Sequence, residues 1–230
     1  MRLDKYLGDT ALLTRKEAAE AIRRGRVTVE GAAGPCKPNQ NIDPASDVVL
    51  LDGEVLRYQT CHYLMLHKPA GFITATEGST LTVMDLVPKV SKNLFPVGRL
   101  DKDTEGLLLI TDDGSLGHRL LSPKHHVGKT YEVHTRAPLS GEDLDRLRSG
   151  VDIGEKELTL PAEAAMDGEG HLLLTLYEGR YHQVKRMLLA VGNEVVYLKR
   201  LSFGPLQLGD LTLGACRELT EEEAEALRNA

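Results

Sequence analysis

Apolar and polar residues alternate along the chain in two rhythms, which predict short strands interrupted irregularly by short helices. The period-two pattern predicts strands at Tyr63–Leu66, Gly71–Thr74, Leu107–Thr111, Tyr131–Thr135, Leu172–Tyr177 and Val195–Lys199. The helical spacing predicts helices at Thr82–Leu86, Ser115–Leu121, Ser140–Ser149, Tyr181–Ala190 and Glu221–Arg228. Because no regular helical crossovers join the strands, this order favours an α+β domain with a mostly antiparallel sheet.

The first 58 residues have the pattern of a separate small module. Thr14 and Glu17 form a capping box, which predicts a helix that ends at Gly25. Asp52-Gly53 is typical of a tight hairpin turn between two short strands. The best candidate linker follows at Arg57–Cys61. We therefore expect two domains, at residues 1–58 and 59–230.

The composition is that of an ordinary globular protein. The 230 residues include 41% hydrophobic and 27% charged residues, which excludes wholesale disorder. No apolar run is long enough to span a membrane, and the N-terminus lacks the apolar region of a signal peptide. The three cysteines have neither a disulfide framework nor a zinc spacing. We expect a cytoplasmic protein without a membrane partner.

The charge is more informative in its distribution than in its sum. A net charge of −6 argues against a nucleic-acid partner, for which a basic domain is usual. However, residues 14–29 and 178–200 each carry five basic and two acidic residues. These segments predict two basic faces, and chance fluctuation of charge along the chain is the alternative interpretation.

A first candidate for chemistry is the loop that precedes the apolar strand 107–111. Its sequence places Arg99 and Asp101 two residues apart, so both side chains are expected on one face with Leu100 turned into the core. A carboxylate beside a guanidinium stays ionised and can act as a nucleophile or base. The alternative is an ordinary loop in which the polar side chains satisfy turn amides.

A second candidate is the basic segment Glu178–Met187, where a strand is followed by the start of a helix. Its polar side chains, together with free amides at a helix N-terminus, suit a phosphate ligand. We expect His182 and Arg186 to share a helical face. A solvated amphipathic helix is the alternative. The candidate RNA-binding residues here are Arg180, His182, Gln183 and Arg186.

Three other features change the picture less. Tyr131, in the sequence Lys129-Thr-Tyr, could present its ring and hydroxyl to a base, although a half-buried strand tyrosine is commoner. The Lys68-Pro69-Ala-Gly71 turn is more typical of architecture than of chemistry. His118, His125 and His126 lack a metal-ligand spacing, and no nucleotide-cofactor or serine-hydrolase motif is present. We expect neither a metal nor a cofactor.

Taken together, these segments resemble the pseudouridine synthases, in particular the small-subunit pseudouridine synthase A type. Gly98-Arg-Leu-Asp101 and the residues up to Gly114 match the family's catalytic-aspartate motif. Lys68-Pro69-x-Gly71, Lys129-Thr-Tyr131 and residues 178–187 match its other motifs in the expected order. The N-terminal module resembles the small α-L RNA-binding domain named after ribosomal protein S-four. Its loop Gly31–Asn39 departs from the pattern.

The resemblance implies a fold, a reaction and residue roles. The family fold is a mixed, mainly antiparallel sheet with a cleft across it. The reaction isomerises uridine in RNA without a cofactor. Asp101 corresponds to the catalytic carboxylate, Tyr131 to the residue that packs on the uracil, and Lys185 to the partner of the aspartate. Arg99 would hold the backbone of the flipped nucleotide. Arg15, Lys16, Arg23 and Arg24 would contact phosphates through the N-terminal module.

The expected partner is small-subunit ribosomal RNA or an assembly intermediate, bound by a monomer. A synthase acting on large-subunit RNA is an alternative within the family. A non-catalytic RNA-binding or assembly factor would not need Asp101. An RNA glycosidase would need a second carboxylate to activate water, and Asp103 is the candidate for that role.

Overall fold

The computed structural model describes residues 1–32, 34–59 and 61–230. The chain divides into two compact units, one comprising residues 1–62 and 89–93 and the other residues 63–88 and 94–230. The domain boundary between residues 58 and 59 stays a prediction. Thr60 of the expected linker and Ala33 of the divergent loop lie outside the described residues.

The first unit packs two helices with a three-stranded antiparallel sheet of order β1-β2-β3. Thr14 and Glu17 form the predicted capping box, and Gly25 follows the helix with a φ of +70°. The elements are α1 (Leu3–Thr10), α2 (Arg15–Arg23), β1 (Val27–Val29), β2 (Val49–Leu51) and β3 (Glu54–Leu56). The core consists of Leu3, Tyr6, Leu7, Ala18, Ala21, Ile22, Val27, Ile42 and Val49.

The second unit is built on a nine-stranded sheet whose main order is β12-β4-β6-β10-β7-β9-β8. Strands β6 and β10 run parallel and the other pairs run antiparallel, which confirms the α+β class with a mixed, mainly antiparallel sheet. The strands are β4 (Tyr63–Lys68), β5 (Phe95–Pro96), β6 (Glu105–Thr111), β7 (Lys129–Thr135), β8 (Glu163–Met166), β9 (Leu172–Leu176), β10 (Val195–Phe203), β11 (Leu206–Gln207) and β12 (Cys216–Glu218).

Four α-helices complete this unit among its described residues. They are α3 (Gly114–Leu121), α4 (Gly141–Ser149), α5 (Gln183–Ala190) and α6 (Glu221–Arg228). Ser140 and Thr220 cap α4 and α6, as their positions predict. Two 3₁₀ turns lie at Val83–Leu86 and Pro123–His125. No helix in the described part of the chain is long and apolar enough to cross a membrane.

Two sequence predictions are wrong in detail. The strand predicted at Gly71–Thr74 is absent, and only an isolated bridge joins Ile73 to Thr82 there. The helix predicted from Tyr181 begins at Gln183, because His182 adopts left-handed backbone angles with a φ of +48°. Hence His182 is not a helical residue and does not share a helical face with Arg186.

The parallel contact between β6 and β10 requires a glycine. Gly106 has a φ of +111°, and a Cβ at this position would lie 2.2 Å from the carbonyl oxygen of Arg200. The two backbones can therefore approach this closely only where the side chain is absent. This pairing brings the strand that follows the Asp101 loop beside Arg200.

Candidate active site

A cleft of about 730 Å³ lies across the sheet of the second unit. The loop 98–104 forms one side, the segment 177–185 forms another, and strands β7 and β10 contribute residues to its surface. Three of the four family motifs contribute residues to its lining, which includes Arg99, Asp101, Tyr131, Arg180, His182 and Lys185. The topology thus brings together side chains that are more than 80 positions apart in the chain.

The backbone of the Asp101 loop is fixed at the preceding residue. Leu100 is buried, as its place between Arg99 and Asp101 predicts. Its amide donates a 3.1 Å hydrogen bond to Oγ1 of Thr74, and its carbonyl accepts a 2.8 Å bond from the same hydroxyl. Thr74, which lies in the segment wrongly predicted as a strand, therefore fixes the backbone of Leu100 in this loop.

A buried ammonium holds the other end of this loop. Lys68 is fully buried, and its Nζ donates to the carbonyl oxygens of Pro69, Asp101, Lys102 and Thr104 at 2.7–3.3 Å. Burial lowers the pKa of Lys68 to about 8, although the neighbouring acidic residues oppose this shift. The Lys68-Pro69 motif is thus architectural, as expected, and what it positions is the Asp101 backbone.

The Asp101 carboxylate faces two basic side chains. Its Oδ2 lies 3.2 Å from Nζ of Lys185, and its Oδ1 lies 3.5 Å from Nε2 of His182. Lys185 also lies 2.6 Å from Oδ1 of Asp103. Burial opposes the charge on Lys185, but its bonds to Asp103 and Asp101 outweigh burial and raise the pKa of the ammonium. Lys185 is therefore a cation shared by two carboxylates.

His182 reaches Asp101 through a strained backbone. Left-handed angles are uncommon for a residue with a Cβ and cost about 1 kcal/mol or more. The neighbouring Tyr181 stacks on the His182 ring, with centroids 3.8 Å apart, and remains 74% exposed. This pair presents an accessible aromatic surface at the edge of the cleft. Tyr181 was not a candidate from sequence, because its ring belongs to a segment recognised by its basic residues.

Two further cations line the cleft beneath these groups. Nζ of Lys129 donates to the carbonyl of Val127, and Nε of Arg200 donates to that of Leu107. Both lie over the ring of Phe203, at 5.6 and 5.3 Å from its centre. Burial, helped by the charge of Arg200, lowers the pKa of Lys129 to about 8.

Arg200 is incompletely paired. Only 2% of this residue is exposed, and its Nη2 is buried without a hydrogen-bond partner among the described residues. A buried donor of this kind costs about 1–3 kcal/mol, so it marks a position where a ligand acceptor would be stabilised. Neither Arg200 nor Lys129 was a candidate from sequence, although each lies in a segment that was noticed for its motif or its charge.

Tyr131 lies in β7, two residues after Lys129 and opposite Arg200 of β10. It is 9% exposed and pairs in register with Leu174 of β9 and Arg200 of β10. Alternation along β7 places it on the same face as Lys129. The ring that sequence assigns to the uracil thus lines the same cleft as the Asp101 carboxylate.

The remaining polar residues of segment 178–187 mostly bind other parts of the chain. Arg180 pairs with Glu178 at 2.9 Å and with Glu155 at 3.3 Å. Gln183 bonds to Glu178, and Arg186 pairs with Glu155 at 2.6 Å. These contacts tie the segment to the loop near residue 155. The role of Arg180, Gln183 and Arg186 in RNA binding stays a prediction, as does that of exposed Arg99.

In the first unit, the basic residues predicted to contact phosphates are exposed. Arg24, the residue that follows α2, pairs with Glu20 one turn earlier, and Arg23 donates to the carbonyl of Ala19. They form a basic surface on one short helix, made of Arg15, Lys16, Arg23 and Arg24.

Comparisons with known proteins agree with the motifs. The family model of RNA pseudouridylate synthase matches residues 62–190. An uncharacterized RNA pseudouridine synthase of Bacillus subtilis is 48% identical, covering 99% of this chain and 98% of that protein. The ribosomal small subunit pseudouridine synthase A of Escherichia coli K12 is 41% identical, covering 97% of this chain and 98% of that protein. A crystal structure of a pseudouridylate synthase shares 38% identity and covers 99% of both chains with a TM-score of 0.70.

The family match covers more than half of the chain, and the relatives align over nearly its full length. It includes the Asp101 loop, Tyr131 and Lys185, which meet in the cleft. The chain therefore belongs to the RNA pseudouridine synthases, the isomerases that convert uridine in RNA to pseudouridine.

Proposed function

We propose that this chain isomerises a specific uridine of small-subunit ribosomal RNA, with Asp101 as its catalytic carboxylate. The observation that carries the proposal is the Asp101 carboxylate in a sheet-spanning cleft, 3.2 Å from Lys185 and beside Tyr131. The choice of RNA rests on relatives that carry the small-subunit name and are 41–43% identical along nearly their whole length.

The reaction balances without redox chemistry. The bond between uracil N1 and ribose C1′ breaks, the uracil turns, and C5 bonds to C1′ while the C5 proton is lost and N1 gains a proton. Asp101 can start this sequence by attacking C1′ or by taking a proton from the sugar. In both cases the reacting form is the carboxylate, whose Oδ2 lies 3.2 Å from the Lys185 ammonium.

The detached uracil carries negative charge, which the lining of the cleft is suited to stabilise. Lys129 and Arg200 are cationic, largely buried, and held over the Phe203 ring. In a site from which water is excluded, such fixed charges stabilise a developing anion more strongly than they would in water. We assign to them the stabilisation of the uracil anion, with the unpaired Nη2 of Arg200 as a donor to a uracil oxygen.

Tyr131 and Tyr181 supply aromatic surfaces for the nucleotide. Tyr131 is buried in the cleft, where its ring would pack on the uracil and its hydroxyl could move a proton at C5. Tyr181 is exposed at the edge, where a neighbouring base could stack on it. A uridine inside an RNA helix must leave its stack to reach these groups, and Arg99 would hold its backbone.

The N-terminal module adds affinity in this scheme. Its exposed arginines and lysine are placed on α2, where they would bind phosphates and contribute no base specificity. We assign residues 1–58 to an S-four-like RNA-binding domain and residues 59–230 to catalysis. We further propose that the enzyme acts in the cytoplasm, as a monomer, on the RNA or an assembly intermediate.

The direct test is pseudouridine mapping after incubation of the purified protein with small-subunit RNA, large-subunit RNA and assembly intermediates. Asp101→Asn should abolish product while retaining the fold and most of the RNA affinity, because phosphate contacts elsewhere supply that affinity. The matched control is Asp103→Asn, since Asp103 lies in the same loop and is mostly exposed. We expect it to retain most of the activity.

Each competing function has its own outcome in this assay. Product found only in large-subunit RNA would contradict the choice of substrate, and release of free uracil would indicate a glycosidase. Full turnover by Asp101→Asn would contradict the assigned mechanism. RNA binding without any product from the wild-type protein would favour a non-catalytic assembly factor.

A further inference from the structure

A second polar cluster lies at the other face of strand β7, away from the groups assigned to catalysis. Glu132 and His134 alternate with Tyr131 and Val133 along this strand, so they point to the opposite side of the sheet. The register of β7 and β9 pairs Val133 with Leu172, which places His171 across from His134. Three residues of types that bind metals thus converge from two strands.

The cluster has the dimensions of a metal site. The ligand atoms of Glu132, His134 and His171 all lie within 4.8 Å of one another. In a tetrahedral zinc site, bonds of about 2.0–2.1 Å place the ligand atoms about 3.4 Å apart. Rotations about the side-chain bonds can close the remaining distance without moving the strands. This is the one group of three such residues with this spacing in the described part of the chain.

Neighbouring groups hold the two imidazoles in place. The rings of His134 and His171 stack with centroids 3.7 Å apart. The Tyr197 ring also packs against His134, tilted to it, with centroids 4.8 Å apart. The Tyr197 hydroxyl in turn donates to Glu105. To bind one ion, the two rings would turn out of this stack so that a nitrogen lone pair of each points at the metal.

A carboxylate outside the three ligands orients His171. Oδ2 of Asp167 lies 3.4 Å from Nδ1 of His171, and Oδ1 of Asp167 accepts the backbone amides of Glu169 and His171. Asp167 is therefore fixed by its own turn. Because Nδ1 faces this carboxylate, Nε2 is the His171 nitrogen available to a metal, an arrangement that is common around histidine ligands.

The local charge also favours a cation. Oε1 of Glu132 lies 2.7 Å from Nε2 of His134, and carboxylate oxygens of Asp167 and Glu169 lie 3.4 and 3.9 Å from Nδ1 of His171. Bringing these carboxylates together without a cation is unfavourable, and a divalent ion would offset it. Two imidazoles and one carboxylate are the donor set of a borderline transition metal and not of magnesium or calcium, which prefer oxygen ligands.

We propose that Glu132, His134 and His171 form a zinc site that links β7 to the turn between β8 and β9. The ion would be four-coordinate, with water in the fourth position, and its role would be to stabilise this side of the sheet. The residues are far apart in sequence, which is why histidine spacing alone predicted no metal. The site is independent of the proposed uridine chemistry.

The test is zinc titration of the untagged full-length protein after chelator treatment and removal of the chelator. We expect one zinc per chain, bound with a micromolar or tighter dissociation constant. At a zinc concentration a hundredfold above that constant, the unfolding temperature should rise by about 5 °C. Cobalt substituted at the site should give the intense visible absorption of tetrahedral coordination.

Matched variants distinguish this cluster from adventitious binding. His134→Ala and His171→Ala should lose the bound zinc and the shift in unfolding temperature, and Glu132→Gln should bind at least tenfold more weakly. The control is the double variant His125→Ala/His126→Ala, which removes two exposed adjacent histidines and should bind zinc normally.

The folding of each variant is checked by circular dichroism without metal. If the alanine variants do not fold, Glu132→Gln and His171→Gln carry the same test with smaller changes in shape. Absence of saturable zinc binding in the wild-type protein would overturn the proposal. Undiminished binding in folded cluster variants, or its loss in the His125/His126 control, would also overturn it.

Discussion

Nζ of Lys185 lies closer to Oδ1 of Asp103, at 2.6 Å, than to Oδ2 of Asp101, at 3.2 Å. The cation beside Asp101 is therefore shared with a second carboxylate of the same loop. Asp103 is 71% exposed and Asp101 only 28%, so water weakens the shorter ion pair more. The longer pair is the one expected to affect the reaction.

The shared cation predicts an order of effects. Lys185→Met should lower the single-turnover rate of pseudouridine formation by about 10- to 100-fold, because a charge-assisted bond contributes about 1.5–3 kcal/mol. Lys185→Arg should recover part of this loss. Asp103→Asn should lower the single-turnover rate less than tenfold, because Lys185 can still pair with Asp101. A larger effect of Asp103→Asn than of Lys185→Met would show that Asp103 takes part in the chemistry.

The proposed role of Lys129 predicts a pH dependence. Its pKa is about 8 in the folded protein, and only the charged form can stabilise a uracil anion. Activity should therefore fall as the pH rises through about 8. In Lys129→Arg, whose side chain stays charged, this decline should disappear or move above pH 9. Single-turnover rates from pH 6.5 to 9.5 measure it, and an unchanged decline in the arginine variant would assign it to another group.

The same role predicts a dependence on the leaving group. Lys129→Met should slow the reaction by about 10- to 100-fold on ordinary RNA. With 5-fluorouridine at the target position, the loss should be smaller, because fluorine stabilises the uracil anion without help from the protein. The readout is the rate of glycosidic bond cleavage in both RNAs for wild type and variant. Equal losses on the two substrates would leave Lys129 a purely structural role.

Replacing Tyr131 with Phe distinguishes packing of its ring on the uracil from proton transfer by its hydroxyl. If its hydroxyl moves a proton, Tyr131→Phe should lose about a hundredfold or more in single-turnover rate. If the ring only packs on the uracil, the variant should be nearly as active as wild type. We expect the large loss. Equilibrium RNA binding by the same variant should change little, which distinguishes a chemical defect from a failure to bind.

Much of this site was accessible from sequence, because its chemistry is concentrated in short contiguous motifs. Asp101, Tyr131 and Lys185 each follow from a motif, and the burial of Leu100 follows from alternation. Lys68 was recognisable only as a member of a turn and Thr74 only as part of a wrongly predicted strand, since their contacts are with backbone atoms across the fold. Arg200 lines the cleft because β10 lies beside β6 and β7, and local periodicity carries no information about that pairing.

The helix start at Gln183 illustrates a different limit. The pattern of segment 181–190 is helical throughout, but left-handed backbone at His182 turns its side chain towards Asp101. Tertiary contacts therefore override the local preference at the point where the chain approaches Asp101. Helix α1 was not predicted, because its sequence signal is weak. Its apolar positions follow helical spacing, but they are few and the helix is only eight residues long.

Lys68 predicts a coupled loss of stability and activity. Lys68→Met should leave four backbone carbonyls without their donor and lower the free energy of unfolding by about 3 kcal/mol. It should also lower kcat more than it raises KM, because the Asp101 loop loses its support. Lys102→Met, an exposed change in the same loop, is the control and should affect neither. A stable, fully active Lys68→Met would show that Thr74 alone positions the loop.

Lys68 also affects stability through pH. Its pKa is about 8 in the folded protein and 10.5 as the ordinary value, so the unfolded chain holds this proton more tightly. Stability should therefore rise as the pH increases from about 8 towards 10.5, where the unfolded state binds more protons. Denaturant titrations at pH 7.5 and 9.5 measure the change, which should be smaller in Lys68→Met. A fall in wild-type stability over this range that is absent from the variant would reverse the assigned direction.

The basic surface on α2 predicts a salt-dependent contribution to RNA binding. Replacing Arg15 and Lys16, or Arg23 and Arg24, with alanine in the full-length chain should weaken binding. Each lost phosphate contact should also lower the slope of log affinity against log salt by about 0.7–0.9 in magnitude.

Arg26→Ala is the matched control, because its guanidinium already pairs with Asp52 at 2.5–2.8 Å and should contribute little to the slope. Turnover at saturating RNA should stay near the wild-type rate in all three variants, since phosphate contacts position the RNA without entering the chemistry. An unchanged slope in both double variants would show that this helix binds something other than the substrate RNA, and a slope altered equally by Arg26→Ala would reduce the effect to general charge.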